Sequence, residues 1–292
     1  MDECRVTMPE KISFPTHHAV DHEAMKTTYH LRLCGADTQL LRSLACECIE
    51  RIDELERKLS RYHDGGDVFR INHMQAGETL SISEEAHECL LQAMEASIHT
   101  AGLFNPTLGT MIEHRKTKQD GELPEPVGQL SIDPDKAVVT CIKPGRVIDL
   151  GGIGKGFTLD QLALYLKEWD IDGALLSAGA STHLALGRHS WPIDLSGVND
   201  TLRIDLKNAS ISASGTTIQG SHIVSADRAN DLSNHAPTRI WARSSSAAFS
   251  DAWSTALMLM NDTKIDLAPS QDRHLTTVFV ERDGVLHTIS PN

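Results

Sequence analysis

Two stretches of the chain combine residue types that handle phosphate and metal ions. The first is Val147-Ile148-Asp149-Leu150-Gly151-Gly152-Ile153-Gly154-Lys155-Gly156-Phe157-Thr158-Leu159-Asp160, in which four glycines lie between an apolar, β-branched run and an amphipathic one. Glycine lets backbone approach a ligand closely, N–H groups at a helix start favour anions, and Lys155 adds a positive charge. The spacing fits neither common phosphate loop. A P-loop places Ser or Thr after its lysine, but Lys155 is followed by Gly156. The dinucleotide fingerprint G-x-G-x-x-G finds only Gly152-Ile153-Gly154-Lys155-Gly156, one residue short. A tight turn with glycines for sterics alone is the plain alternative. Asp149 and Asp160 flank the loop. Carboxylates beside an anion site imply a cation or a ligand hydroxyl, and a solvated helix start explains Asp160 equally well.

The second stretch is Ser250-Asp251-Ala252-Trp253-Ser254-Thr255. Asp251 and Thr255, at i and i+4, share one helical face. Carboxylate and hydroxyl oxygens suit a hard cation such as Mg2+. The alternative is a threonine bonded back to its own helix and an aspartate on the surface. In Ser221-His222-Ile223-Val224 a histidine opens a short apolar run, and a structural histidine is the commoner outcome. Leu103-Phe104-Asn105-Pro106-Thr107-Leu108-Gly109-Thr110 reads as a rigid turn. His17, His18 and His22 cluster with Asp21 and Glu23. His18 and His22 have helical metal-ligand spacing, but the segment has no apolar face to fix it, so a zinc site is not expected.

Elements of defined period must position these groups. Residues 27–35 alternate and read as a strand closed by glycine. Leu41, Leu44, Cys48, Ile52, Leu55 and Leu59 recur at three- and four-residue steps, one face of a long helix that Gly65-Gly66 follows. A second helix runs from an N-cap at Ser83 to about Thr100, with Gly102 ending it. Residues 115–136 read as a surface excursion. After the glycine loop comes a helix with Leu159, Leu162, Leu166 and Trp169 on one side. Short strands follow at 173–179 and 183–187, then a buried helix over 244–260. A C-terminal hairpin turns at Asp283-Gly284. Helices and strands alternate without a βαβ rhythm, so the expected fold class is α+β, with mixed or antiparallel sheets packed on helices. Residues 1–24 are expected to be a tail and 25–292 one domain.

The 292 residues are 40% hydrophobic and 23% charged, with a formal net charge of -13. That charge argues against nucleic acid or an anionic membrane as the main partner. The six cysteines, Cys4, Cys34, Cys46, Cys48, Cys89 and Cys141, form no C-x-x-C pair, and Cys46 and Cys48 are too close for the usual zinc half-site. Reduced, mostly buried thiols fit a reducing compartment. The first residues have no apolar h-region, and no stretch of about 18 apolar residues occurs, so a cytoplasmic location without membrane insertion is expected.

In order, these pieces resemble the ApbE family of FAD:protein FMN transferases, over roughly residues 25–290. MKTTYHLRL is similar to an M-G-T-T-Y strand, and LSRYHDGGDVFRIN to S-x-Y-x-x-x-S-[DE]-[IL]-x-x-[FL]-N. LFNPTLGT is similar to A-F-D-P-T-V-G, and VIDLGGIGKGFTLD to D-L-G-G-I-A-K-G-Y-A-V-D, the most specific match. LLSAGAS resembles N-x-G-G-[DN], SHIV resembles S-H-I-[IV]-D-P, and FSDAWSTALM resembles A-[DT]-[AG]-x-[AS]-T-A. The resemblance implies that FAD binds in a cleft with Mg2+ on its diphosphate. FMN would pass to a Thr or Ser hydroxyl of an acceptor flavoprotein carrying a flavinylation motif, and AMP would be released. By position, Met25, Tyr62, Leu103, Phe104, Asn105, Asp149, Lys155 and Ile223 would line FAD. Asp251 and Thr255 side chains with Gly152 and Ser254 carbonyls would hold Mg2+, and His222 would lie beside the reacting phosphate, so His222 and Asp251 are the expected catalytic residues. Three positions depart from the pattern: Asn105 replaces Asp, Gly179-Ala180-Ser181 replaces G-G-D, and Ser225-Ala226 replaces Asp-Pro. An FAD pyrophosphatase or a non-catalytic FAD-binding relative is the alternative these departures leave.

Overall fold

A computed structural model describes residues 17–117, 123–215 and 237–291. In chain order the described elements are β1 (His17–Ala24), β2 (Thr27–Cys34), α1 (Thr38–Leu59), α2 (Asp67–Asn72), β3 (Thr79–Ser81), α3 (Glu84–His99), α4 (Gly109–Lys116), β4 (Gln129–Ile132), β5 (Val138–Lys143), α5 (Gly154–Leu166), β6 (Gly173–Ala178), β7 (Thr182–Gly187), β8 (Trp191–Ser196), β9 (Thr201–Leu206), β10 (Ala209–Gly215), β11 (Arg239–Ser244), α6 (Ala247–Leu257), α7 (Asp262–Gln271), β12 (Thr277–Arg282) and β13 (Val285–Ile289). Eight strands form one antiparallel sheet in the order β1-β2-β6-β7-β10-β11-β12-β13. Small sheets β3-β5-β4 and β8-β9 complete an α+β fold with antiparallel sheets.

The large sheet is covered on both faces, which explains why its central strands are buried along their whole length. Successive strand residues point to opposite sides. Leu176 thus joins a core with α1 and α5, while its neighbour Leu175 meets Trp191, Ile193 and Leu195 of the β8–β9 ribbon. Ile240 and Ala242 face a core shared with α6, and Trp241 between them faces the ribbon.

Helix α1 buries Leu41, Leu44, Cys48, Ile52, Leu55 and Leu59 as the spacing predicts, with Asp37 capping the Gln39 and Leu40 N–H groups at 2.9 and 3.1 Å. Ser83 caps α3 through the Ala86 N–H, and Gly102 beyond its end has φ +79°. The C-terminal hairpin turns at Asp283-Gly284, both at positive φ.

Three expectations are corrected. Residues 17–24, read as tail, form β1, whose register runs from His17↔Cys34 to Ala24↔Thr27. An edge strand needs only one half-buried face and ladder bonds to a neighbour, so its polar sequence carries little apolar signal. His18 and His22 therefore sit on a strand, and His22 Nε2 meets Asp53 Oδ1 at 2.6 Å. Helix α5 ends at Leu166, which leaves Trp169 outside it and 41% exposed. The excursion over 115–136 includes β4, paired with β5.

Candidate active site

The contact between α5 and α6 sets one wall of the site. A Cβ on Gly156 would lie 2.1 Å from the Ala247 carbonyl oxygen, so that glycine is required by helix packing. Asp160, four residues on, accepts hydrogen bonds from Ser246 Oγ (2.7 Å), Ala247 N (2.8 Å) and Ala248 N (2.9 Å). It caps α6 from the neighbouring helix, favourably placed against the positive helix end. Desolvation raises its carboxyl above the ordinary carboxylate range, and these donors pull the other way.

This cap fixes the helix that carries Asp251. The Asp251 side chain is 1% exposed. Its Oδ1 accepts from Ser212 Oγ (3.0 Å) and Thr182 Oγ1 (3.4 Å), and its Oδ2 faces Gly156 N (3.3 Å) and Lys155 Nζ (3.5 Å). Hydroxyl pairs bracket it, Ser210 with Ser250 at 2.6 Å and Ser214 with Ser254 at 2.9 Å. Ser210, Ser212 and Ser214 alternate along β10, so all three face α6. Thr255 Oγ1 donates to the Asp251 carbonyl at 3.1 Å, the back-bond of the plain reading. It also stands opposite the glycine loop: a Cβ on Gly152 would lie 3.4 Å from Thr255 Oγ1 and 3.2 Å from Phe104. Gly152 is therefore a neighbour of Thr255, and a side chain at Gly152 would fill the space between the loop and Thr255. Carboxylate and hydroxyl oxygens are the ligand types that suit a hard cation.

Beside this wall opens a cleft of about 250 Å³ lined by Met25, Tyr62, Asp149 and Lys155 of the expected flavin set, together with Gly151 and Gly154. Lys26, Arg61 and Lys116 also line it, and sequence reasoning missed all three. Its two acids are engaged. Glu56 Oε1 accepts from Met25 N at 2.7 Å, and Asp149 pairs with Arg61 Nε at 2.9 Å and accepts from Gly151 N at 2.8 Å. The cleft thus keeps a local positive excess in an acidic chain, reinforced by the first turn of α5. Tyr62 is 51% exposed, with Lys26 Nζ and the Arg61 guanidinium each 4.6 Å from its ring centroid. Met25 and Lys26 form the β1–β2 turn at φ +51° and +59°. Left-handed backbone costs a residue with a Cβ about 1 kcal/mol, and the Glu56 bond holds the turn against it.

Leu103, Phe104 and Asn105 do not line this cleft. Phe104 is buried against the glycine loop, and Leu103 packs on the core beneath it. Asn105 Oδ1 accepts from Thr107 N (2.9 Å) and Thr107 Oγ1 (2.8 Å), a local turn that an aspartate makes equally well. His222 and Ile223 lie outside the described residues, as do Ser225 and Ala226.

The α+β architecture is shared with solved flavin transferase structures. A mutant form of flavin transferase ApbE from Vibrio cholerae superposes with a TM-score of 0.80 at 18% identity, over 95% of this chain and 98% of that one. The ApbE protein from Thermotoga maritima does so at 0.79 and 20%, over 94% and 97%. The model of the ApbE family matches residues 25–279, and the chain belongs to that family, a family of transferases. Relatives named FAD:protein FMN transferase include one from Chlamydia muridarum, 25% identical over 80% of each chain, and one from Salmonella typhimurium, 20% identical over 95% of this chain and 88% of its own. Among the described residues no helix is long and apolar enough to cross a membrane.

Proposed function

We propose that the protein is an FAD:protein FMN transferase that moves FMN from FAD to a Thr or Ser hydroxyl of an acceptor flavoprotein and releases AMP. The observation that carries this reading is that Lys155 lines a cation-rich cleft and lies 3.5 Å from the buried Asp251 carboxylate. A diphosphate needs positive charge on one side and a divalent ion on the other, and the net charge of -13 leaves little elsewhere to attract it.

Lys155 stands 3.5 Å from Asp251 Oδ2, between the two features, and neutralises diphosphate charge from the protein side. Asp251 and Thr255 side chains with the Gly152 and Ser254 carbonyls would hold Mg2+, which when bound offsets the charge that builds on departing AMP. Arg61 holds Asp149 in place for ligand hydroxyls. Met25 and Tyr62 offer an apolar and an aromatic face to the flavin or adenine ring, and Leu103, Phe104 and Asn105 support the loop from its packed side. In the transfer the acceptor oxygen bonds to the FMN phosphorus, the bond to the AMP phosphate oxygen breaks with its electron pair, and the hydroxyl proton is lost. His222, next to Ile223 in the flavin set, is assigned to that proton.

The described cysteines Cys34, Cys46, Cys48, Cys89 and Cys141 are free thiols. Burial pushes Cys34 up to about 11 and Cys48 up to about 12, which leaves them unreactive. This supports a reducing, cytoplasmic setting for enzyme and acceptor.

The test incubates the protein with FAD, with and without Mg2+, and a domain bearing a Thr or Ser flavinylation motif, and follows AMP and acceptor mass. AMP together with an acceptor heavier by one FMN is the expected result. Free FMN with unmodified acceptor would make it a pyrophosphatase, and intact FAD retained on the protein a binding relative.

A further inference from the structure

A second group of ligand atoms lies away from this cleft, where the end of α3 meets the segment between α7 and β12. Glu95, His99 and His274 each direct one ligand atom into a space where all lie within 4.8 Å of one another, and among the described residues no other His, Cys, Asp or Glu group does so. Glu95 Oε1 is 3.4 Å from His274 Nε2 and 3.7 Å from His99 Nε2. Ligands about 2.0–2.1 Å from a tetrahedral zinc ion stand roughly 3.3 Å apart. The observed separations are close to that.

The imidazoles are oriented as ligands. His99 Nδ1 is bonded to the buried Asp272 carboxylate, a bond that in the neutral Nδ1–H tautomer leaves the Nε2 lone pair for a metal on the Glu95 side. This is the carboxylate–histidine arrangement that supports metal-bound imidazole. The other Asp272 oxygen accepts from His274 N at 2.7 Å, so one carboxylate positions both histidines. The His274 ring is stacked on Phe249 at 4.0 Å and 8°, and its Nε2 accepts from Arg273 Nε at 3.0 Å, so this nitrogen also presents a lone pair. Glu95 and His99 sit at i and i+4 on one face of α3. A cation already uses the cluster: the Arg273 guanidinium reaches Glu95 Oε1 at 3.3 Å as well as His274 Nε2. The Arg273 side chain is 76% exposed and free to swing into solvent when a stronger cation arrives.

We propose that Glu95, His99 and His274 form a second metal site, of the zinc type, that clips the C-terminal end of α3 to the segment before β12. Two neutral imidazoles and one carboxylate suit Zn2+ and its transition-metal neighbours, whereas the oxygen set around Asp251 suits Mg2+, so the two sites take different ions. Through the His274–Phe249 stack the clip reaches α6, the helix that carries Asp251.

The test titrates metal-free full-length protein with Co2+ and Zn2+, reading bound metal by dialysis, the visible spectrum of Co2+ and the thermal midpoint. The variant His99→Gln/His274→Gln is expected to bind one ion fewer than the unmodified protein and to lose the tetrahedral Co2+ band. Metal taken up at His17, His18, His22 or His30 is common to both and cancels. Asp272→Asn should weaken the site by about 10- to 100-fold. Arg273→Ala should tighten it by up to about fivefold, the worth of an exposed ion pair, and this variant keeps every ligand in place. Equal metal content and identical Co2+ spectra in the unmodified protein and the double variant would overturn the proposal, whatever the outcome of the transfer assay.

Discussion

Asp251, 1% exposed, meets four donors from three different elements, whereas Tyr62 at the mouth of the same cleft is 51% exposed and is approached by the cations Lys26 and Arg61. The wall is dry, hydroxyl-lined and held by helix contact, and the mouth is wet and charged. The wall tolerates little change because Asp251 and the hydroxyls around it are hydrogen-bonded to one another and leaving one unpaired is costly. The mouth works through charge in water, where single contacts are worth less and salt weakens them. On the proposed function, metal binding belongs to the wall and capture of an anionic ligand to the mouth.

The largest effect that sharpens this contrast is expected from Asp251→Asn. It keeps shape and removes charge, so FMN transfer should fall roughly 10³-fold, several kcal/mol of lost stabilisation, while the amide facing buried donors should cost stability about 1–3 kcal/mol. Turnover within tenfold of the parent would break the assignment of the wall. Next come two alanines placed two residues apart. Gly156→Ala drives a Cβ to 2.1 Å from a backbone oxygen and should cost about 3 kcal/mol in urea unfolding. Gly154→Ala meets only Leu150 Cβ at 3.9 Å and should be neutral or stabilising by up to about 1 kcal/mol.

Acid sensitivity should come instead from the other face of the sheet, where His183 Nδ1 lies 2.8 Å from Ser177 Oγ. His183 lies beside Thr182 on β7, and burial pushes it down to about 4. Its charged form is favoured only in the unfolded chain, which then binds more protons, so stability rises with pH. The contribution is complete above about 6.5 and is lost as the pH falls toward 4. It amounts to at most about 3 kcal/mol, and His183→Gln should remove that part of the slope in urea titrations. The smallest effect belongs to the mouth. Lys26→Gly relieves a left-handed residue and removes a cation. FAD affinity should weaken by about fivefold at low salt and by much less at high salt, with stability unchanged or raised by up to about 1 kcal/mol.

Periodicity exposed α1 and α5, which each pack on two cores, and the Ser83 cap with Gly102 exposed α3. Glycines and caps marked their ends, with Ser83 the clearest case. The polar edge strand β1 escaped, since its stability comes from pairing with β2. The β8–β9 ribbon and the serine ladder escaped for a related reason. Ser210, Ser212 and Ser214 alternate plainly, but alternating serines look like a solvent face until Ser250, Asp251 and Ser254 are seen opposite them. In the site, the glycine loop and the Asp251/Thr255 pair were legible from type and spacing. Spacing could not assign separate tasks to the glycines, Gly156 serving helix contact and Gly152 leaving room beside Thr255. Nor could it show that Asp160 caps α6, because its partners Ser246, Ala247 and Ala248 lie far along the chain. Lys26, Arg61 and Lys116 come from three separate stretches of chain and meet only in the folded cleft.

The most direct test of the central claim is the position of a divalent ion in crystals grown with FAD and Mn2+. An anomalous peak within bonding distance of the Asp251 carboxylate and the Thr255 hydroxyl, with FAD in the adjoining cleft against Tyr62 and Lys155, is the predicted result. FAD bound elsewhere, or Mn2+ on the diphosphate with no ligand from Asp251 or Thr255, would contradict it.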